Sequence, residues 1–226
     1  MVIELLTTSR LFQNSAQVTI RKTFPESDIV QLILASSSVF RKTVLAKLKL
    51  KFTQISPNID ETSKLNESSK DLVKRLAVEK ARAVASNLPS NENSLIISSD
   101  QVAVCDGVIF GKPGNHEAAI EQLQFESGKI VNFYTSLALL NSANGRVQEH
   151  VDATKVHFRT LNNSQIETYL KTDQPYNCAG SFKSEAFGAS LFTKIETEDP
   201  DALIGLPLLT LVTMLTNEGM DPLTKI

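Results

Sequence analysis

The strongest constraint on this chain is its order of apolar patterns: strand-like runs alternate with helical stripes from residue 31, and past residue 94 strands follow one another. Gln31-Leu-Ile-Leu-Ala-Ser36 predicts a short, mostly apolar strand. Residues 38–50 then carry Phe40, Val44, Leu45 and Leu48 at helical spacing. Residues 52–56 alternate as a half-buried strand does. Ser68-Ser-Lys-Asp71 is a capping signal for a helix to about residue 87, with a stripe at Leu72, Leu76, Ala77, Ala81 and Val84. Ser94-Leu-Ile-Ile-Ser-Ser-Asp100 predicts a central buried strand, which 102–105 continues or follows. Asp106-Gly107 is a hairpin turn with 108–110 as the return strand. A helix over 117–126, long strands over 129–140 and 146–158 around the turn-rich Asn141-Ser-Ala-Asn-Gly145, a short helix over 164–171, a strand over 190–196 and a helix over 206–217 complete the pattern. Helices first between strands and later beside them predict an α/β fold with a mixed sheet.

Charge and cysteine usage narrow the function. With 23 Lys and Arg against 25 Asp and Glu, the net charge is −2, without the basic surplus that releases counterions from a duplex. Nucleic acid is therefore not expected as the main partner. Apolar stretches such as 31–35 and 203–214 fall short of the ~20 residues that span a bilayer, so no membrane partner is expected. Cys105 and Cys178 stand far apart, with no CxxC and no His cluster. They are expected to be small buried thiols of a cytoplasmic protein rather than a disulfide or a zinc site. His116, His150 and His157 are scattered, at no metal-ligand spacing. Residues 1–31 show no clear period. Glu4 near the start and the want of an apolar core argue against a secretory signal, and the basic, acid-free stretch 9–22 only faintly resembles a transit peptide. The expectation is a poorly ordered N-terminal extension, with one domain over 32–226.

Polar clusters near predicted strand ends mark candidate chemistry. In Ala35-Ser-Ser-Ser-Val-Phe-Arg-Lys42 a strand runs into a helix start, where free N–H groups, the Ser36 and Ser38 hydroxyls and the Arg41 fork favour an anion; capping serines and a solvated arginine are the plain alternative. Asp60-Glu61 in a loop suits Mg²⁺ or Mn²⁺, although solvated loop acids are commoner. Lys80, in a helix, reads more simply as a surface charge. Asp100 closes an apolar strand, where a carboxylate is costly to bury without a metal, a cation or water. Gly111-Lys112-Pro113 could bring one more ammonium to a phosphate. There is no GxxxxGK[ST], GxGxxG or GxSxG sequence, so P-loop, dinucleotide-binding and nucleophile-elbow chemistries are excluded.

Taken in order, Leu34-Ala-Ser-Ser-Ser-Val-Phe-Arg41, Asp60-Glu-Thr62, Glu79-Lys-Ala81, Ser99-Asp-Gln-Val102, Gly111-Lys-Pro113 and Phe182-Lys-Ser-Glu185 resemble the Maf family of nucleotide pyrophosphatases. Within it they are most similar to the YceF-type branch, which acts on 7-methyl-GTP. The resemblance runs from about residue 32 to 223. It implies the fold of the inosine-triphosphatase-like pyrophosphatases: an elongated mixed sheet, flanking helices and a central cleft. It also implies cleavage of a small-molecule nucleoside triphosphate to a monophosphate and pyrophosphate with a divalent metal cation (Mg²⁺ or Mn²⁺), and for many members a homodimer. By the same resemblance Asp100 is the proton acceptor, and Glu61 and Asp100 hold the metal. Ser36, Arg41, Lys80 and Lys112 bind substrate, and Phe40, Gln101 and Glu185 set specificity.

The chain departs from the branch at Val39-Phe40-Arg41-Lys42, where Pro-Trp-Arg-Arg is usual. Phe40 keeps an aromatic face with less stacking area, and Lys42 keeps charge without bidentate geometry. Clearing of modified nucleotides is the purpose the resemblance implies. The competing readings are a broader or dTTP/UTP-type Maf pyrophosphatase, and a non-catalytic regulator of cell division and septum formation.

Overall fold

The structure is a computed structural model, and it describes residues 30–89 and 93–224. The expected N-terminal extension over 1–31 lies outside the described residues save for its last two, and Gln31 already opens the first strand. In chain order the elements are β1 (Gln31–Ala35), α1 (Val39–Ala46), β2 (Thr53–Ile55), α2 (Ser69–Ala85), β3 (Ser94–Cys105), β4 (Val108–Phe110), α3 (His116–Glu126), β5 (Ile130–Asn141), β6 (Val147–Phe158), α4 (Asn163–Asp173), β7 (Phe192–Glu196) and α5 (Leu208–Asn217). The described strands form one sheet in the order β2-β1-β3-β5-β6-β7, with β4 paired to β3. β1 runs parallel to β2 and β3, and the other pairings are antiparallel, so the sheet is mixed as expected.

One detail of this topology places the site. Along one edge β3 pairs with β1 over Ser94–Ile97 and with β4 over Ala103–Cys105, while β5 covers its other edge from Leu95 to Val104. Residues 98–102 therefore face a gap where β1 has ended and β4 has not begun. Asp100 sits in that gap. It does not end a strand, as its apolar run suggests, because β3 continues without a break to Cys105.

Side chains alternate across the sheet and sort the helices. On one face α2 packs alone, its Ala81 and Val84 against Ile33, Ala35 and Ile96, and its Leu72, Val73 and Leu76 against Val102. On the other face α1 and α5 cover Leu32, Leu34, Leu95, Ile97 and Leu137 at one end. α3 and α4 cover Ala103, Cys105, Phe133 and Val156 at the other. The two groups leave a cleft between them beside Gln101, while Ser99 is buried and donates to Gly205 O at 2.8 Å. Two buried hydroxyls fix α2 along β3 and β5: Ser98 Oγ donates to Ala77 O at 2.5 Å and Ser136 Oγ to Val73 O at 2.7 Å.

The structure corrects several local expectations. α1 ends at Ala46, because Lys49 takes φ 58° and turns the chain out of the helix, yet Leu48 and Leu50 still pack on the core. Strand β7 begins only at Phe192, after a 3-10 turn over Phe187–Leu191, and a second such turn covers Ala179–Ser181. Cys105 is buried as expected, but Cys178 is half-buried. None of the described helices is long and apolar enough to cross a membrane.

One buried group carries a stability prediction. Glu126, on the last turn of α3, is fully buried, and neither carboxyl oxygen has a hydrogen-bond partner. Burial pushes its pKa well above the usual 4.5, so the folded protein holds it neutral. The unfolded chain binds fewer protons above that pH, and stability falls by about 1.4 kcal/mol per pH unit up to the folded pKa. Glu126→Gln removes this slope. In thermal melts from about pH 5 upward, the variant is expected to gain on the wild type as pH rises toward the folded pKa of Glu126; a constant difference throughout would contradict a raised pKa there.

Candidate active site

A cleft of about 700 Å³ opens at the gap in the sheet, a volume suited to a small-molecule ligand. All nine residues singled out from the sequence line it: Ser36, Phe40, Arg41, Glu61, Lys80, Asp100, Gln101, Lys112 and Glu185.

The anion-binding end is built by the turn from β1 into α1. Ser38 caps α1, accepting from Arg41 N at 3.3 Å, which leaves the first helical N–H groups free beside the cleft. The buried Ser36 hydroxyl accepts from Ser38 N at 3.1 Å and from Arg41 Nη1 at 3.4 Å. Arg41 Nε donates to Gly205 O at 2.9 Å, so one backbone carbonyl and the Ser36 hydroxyl hold the guanidinium while the rest of its fork remains for a ligand. Burial lowers its pKa and the nearby Asp100 and Glu61 raise it; arginine stays a cation either way. Gln54, on β2, donates to the carbonyls of Ser36 (2.7 Å) and Ser38 (3.3 Å) and shapes this turn. Lys42 is exposed and does not line the cleft, so the departure at that position leaves the site unchanged.

At the gap, Lys80 is no surface charge. It lies on the buried stripe of α2, four residues from both Leu76 and Val84, and its side chain is 6% exposed. Its ammonium donates to Asp100 Oδ1 at 2.6 Å and meets Glu61 Oε1 at 2.8 Å. Asp60 does not join Glu61: it turns back to accept from Thr62 N and Thr62 Oγ1 at 2.9 and 2.6 Å. Glu61 itself stands on an irregular loop, which Arg75 of α2 holds in place. Arg75 grips Glu67 through Nε (2.6 Å) and Nη2 (2.8 Å), Glu79 through Nη1 (2.8 Å) and the Thr62 carbonyl at 3.1 Å. These contacts hold the Glu67 carboxyl down to about 2. Arg75→Ala is expected to free the loop, so that trypsin cuts after the exposed Lys64 roughly tenfold faster. Cleavage at the wild-type rate would mean that Arg75 does not anchor the loop.

Side chains on the other face of the sheet form the far end. The Gln101 amide nitrogen donates to Thr135 Oγ1 (2.8 Å), Ala202 O (3.0 Å) and Leu203 O (3.1 Å), which turns its oxygen away from that wall. The buried Asp199 carboxylate accepts from Asp201 N and Leu209 N, closing the loop that carries these carbonyls and that of Gly205. Opposite, residues 178–185 make a wall with Cys178, Phe182 and Glu185, backed by Phe133, whose ring meets that of Phe182 edge-on at 5.2 Å. The wall is tied to α4 by Lys183 N donating to Tyr169 Oη at 3.0 Å. Behind it Gly188 packs so closely that an added Cβ would lie 2.2 Å from Lys183 O. Glu185 is exposed and accepts a long hydrogen bond from Ser184 Oγ at 3.4 Å. Burial and Glu185 push the Cys178 thiol up to about 11, so at neutral pH it is no nucleophile. Gln54, Arg75 and Asp199 escape a reading by motif: Gln54 is an ordinary polar residue in a three-residue strand, Arg75 one charge among several on a long helix, and Asp199 acts through backbone.

The donor set can be tested against the divalent cation the resemblance implies. Glu61 and Asp100 present carboxylate oxygens to one point, marked by the Lys80 nitrogen that touches both. Oxygen donors of this kind suit Mg²⁺ or Mn²⁺. Among the described residues no group of three or more His, Cys, Asp and Glu could hold a metal, so beside these two carboxylates further oxygens would come from water or from a bound ligand. Charge points the same way. Arg41, Lys80 and Lys112 line the cleft together with Glu61, Asp100 and Glu185, so these charges balance and a highly charged anion would call for an added cation.

Residues 31–218 match the model of a family described as Maf-like protein. The chain is 51% identical, over 194 residues, to a protein of Colwellia psychrerythraea (strain 34H) named 7-methyl-GTP pyrophosphatase; the match covers 86% of this chain and 96% of that relative. The solved structure of the Staphylococcus aureus Ham1 protein superposes with a TM-score of 0.41 at 16% identity, over 57% of this chain and 71% of that one, a likeness too loose to build on.

Proposed function

Since the chain belongs to the Maf family, we propose that it hydrolyses 7-methyl-GTP to 7-methyl-GMP and pyrophosphate, clearing a modified nucleotide, with Asp100 as the base. The observation that carries the chemistry is the buried Lys80 ammonium held between Asp100 and Glu61, in a cleft whose other wall is aromatic and acidic. The relative's name supports the choice of nucleotide.

The triphosphate lies against the free N–H groups of α1, the Ser36 hydroxyl and the remaining donors of Arg41, with Lys80 and Lys112 as further cations. Glu61 and Asp100 would hold Mg²⁺ or Mn²⁺, which when bound neutralises phosphate charge and makes water easier to deprotonate. One Asp100 oxygen, Oδ1, points to the place now marked by Lys80, where the cation would bind, and the other, Oδ2, takes the proton of a water. That water's oxygen bonds to the α-phosphorus as the bond from that phosphorus to the bridging oxygen breaks. The electron pair leaves with pyrophosphate, whose growing charge Arg41 and the lysines stabilise. At the base end, the methylated guanine carries a positive charge on the ring. Glu185 meets it electrostatically, the Gln101 oxygen accepts from a base N–H, and Phe40 offers a face for stacking.

Chromatography of the products tests the bond that is cut. With 7-methyl-GTP and Mg²⁺ the expected pair is the monophosphate and pyrophosphate; a diphosphate with inorganic phosphate would contradict the assignment.

A further inference from the structure

In this structure a lysine already occupies the point on which the two candidate metal ligands converge. Lys80 Nζ lies 2.6 Å from Asp100 Oδ1 and 2.8 Å from Glu61 Oε1, its stem packed in the buried stripe of α2. A divalent cation placed there would compete with the ammonium for those oxygens. Two like charges a few ångströms apart in a partly dry cleft repel strongly. Lysine also suits exchange, because its ammonium is a compact charge with three rotatable donors on a flexible four-carbon stem.

We propose that Lys80 is a placeholder cation: it neutralises Glu61 and Asp100 in the free protein and is drawn onto the phosphates when nucleotide enters, so that metal and nucleotide bind as a pair and neither binds well alone. The proposal rests on the reading of the cleft as a triphosphate site. It follows from charge and ligand count together. The trio of Lys80, Glu61 and Asp100 carries one net negative charge, too little to attract a bare divalent ion against an ammonium in contact. No third His, Cys, Asp or Glu among the described residues completes a metal cluster. The triphosphate supplies both missing parts at once, the oxygens for the metal and a new anionic partner for Lys80.

The test is Mn²⁺ binding to the full chain by calorimetry, with thermal melts alongside, for the wild type, Lys80→Met and Lys80→Gln in the absence of nucleotide. The variants are expected to bind Mn²⁺ at least about tenfold more tightly than the wild type, and their melting temperatures to rise with Mn²⁺ while the wild-type value does not. Adding Glu61→Gln to Lys80→Met is expected to abolish the gain, which locates the ion. Folded Lys80 variants that bind Mn²⁺ no better than the wild type would overturn the proposal.

A second arm needs no substitution. With a 7-methyl-GTP analogue carrying a methylene bridge between the α and β phosphates, the wild type is expected to bind Mn²⁺ well beyond the affinity of the analogue itself. Equal Mn²⁺ binding by the wild type with and without the analogue would also overturn the proposal. Pyrophosphate release is assayed separately on the wild type. Its absence from every triphosphate would refute the proposed function, whereas release with no gain in the Lys80 variants would refute the placeholder alone.

Discussion

Asp100→Asn is expected to lower kcat for pyrophosphate release by about a thousandfold, the range of a lost general base. Asparagine keeps the shape, and its oxygen can still accept from Lys80, so the contact now seen at 2.6 Å survives without its charge. The substitution does not strand a buried charge either, because Lys80 retains Glu61 at 2.8 Å and the trio becomes neutral overall. The variant should therefore melt cooperatively near the wild-type temperature while losing turnover. A coupled pyrophosphate assay beside a melting curve separates the two effects. Activity within tenfold of the wild type would remove Asp100 from the base position.

Glu185→Gln is expected to reduce the preference for 7-methyl-GTP over GTP by roughly five- to thirtyfold, almost wholly through 7-methyl-GTP. A carboxylate next to a cationic ring gains Coulomb energy that neutral guanine does not offer, and solvent exposure at Glu185 trims that gain to about 1–2 kcal/mol. Glutamine keeps the length and hydrogen-bonding reach of the side chain, so kcat/KM for GTP should scarcely move. The wall itself stays in place, since it is held by Lys183 N on Tyr169 Oη and by the close packing of Gly188, neither of which involves the Glu185 carboxylate. The ratio of kcat/KM values for the two substrates is the measurement, and an unchanged ratio would take Glu185 out of base recognition.

Much of this architecture can be read from local pattern. Helix α2 shows its cap at Ser68 and its buried stripe, and the long antiparallel strands show theirs around Asn141-Ser-Ala-Asn-Gly145, because burial on one face imposes a period on the sequence. The resemblance to the Maf family rests on ordered motifs and agrees with the family match over 31–218. Pattern fails where the third dimension decides. Lys80 looks like a helical surface charge until its place on the stripe is counted; Leu76 and Val84, one turn to either side, mark it as buried. Asp100 looks like a strand end because an acid interrupts an apolar run, yet the strand passes through and the polar gap lies beside it, made by the ends of β1 and β4. Asp60 and Glu61 look alike in sequence, and only the turn to Thr62 separates them. The work of Arg75 depends on partners at Glu67, Glu79 and Thr62, which no spacing rule connects.

The most direct measurement is pyrophosphate release from a panel of 7-methyl-GTP, GTP, UTP, dTTP and CTP with Mg²⁺ or Mn²⁺, wild type beside Asp100→Asn. The account predicts that the wild type turns over 7-methyl-GTP faster than any other member of the panel and that the variant loses this activity. Wild-type protein that releases no pyrophosphate, or that works equally well with Asp100→Asn, would contradict it.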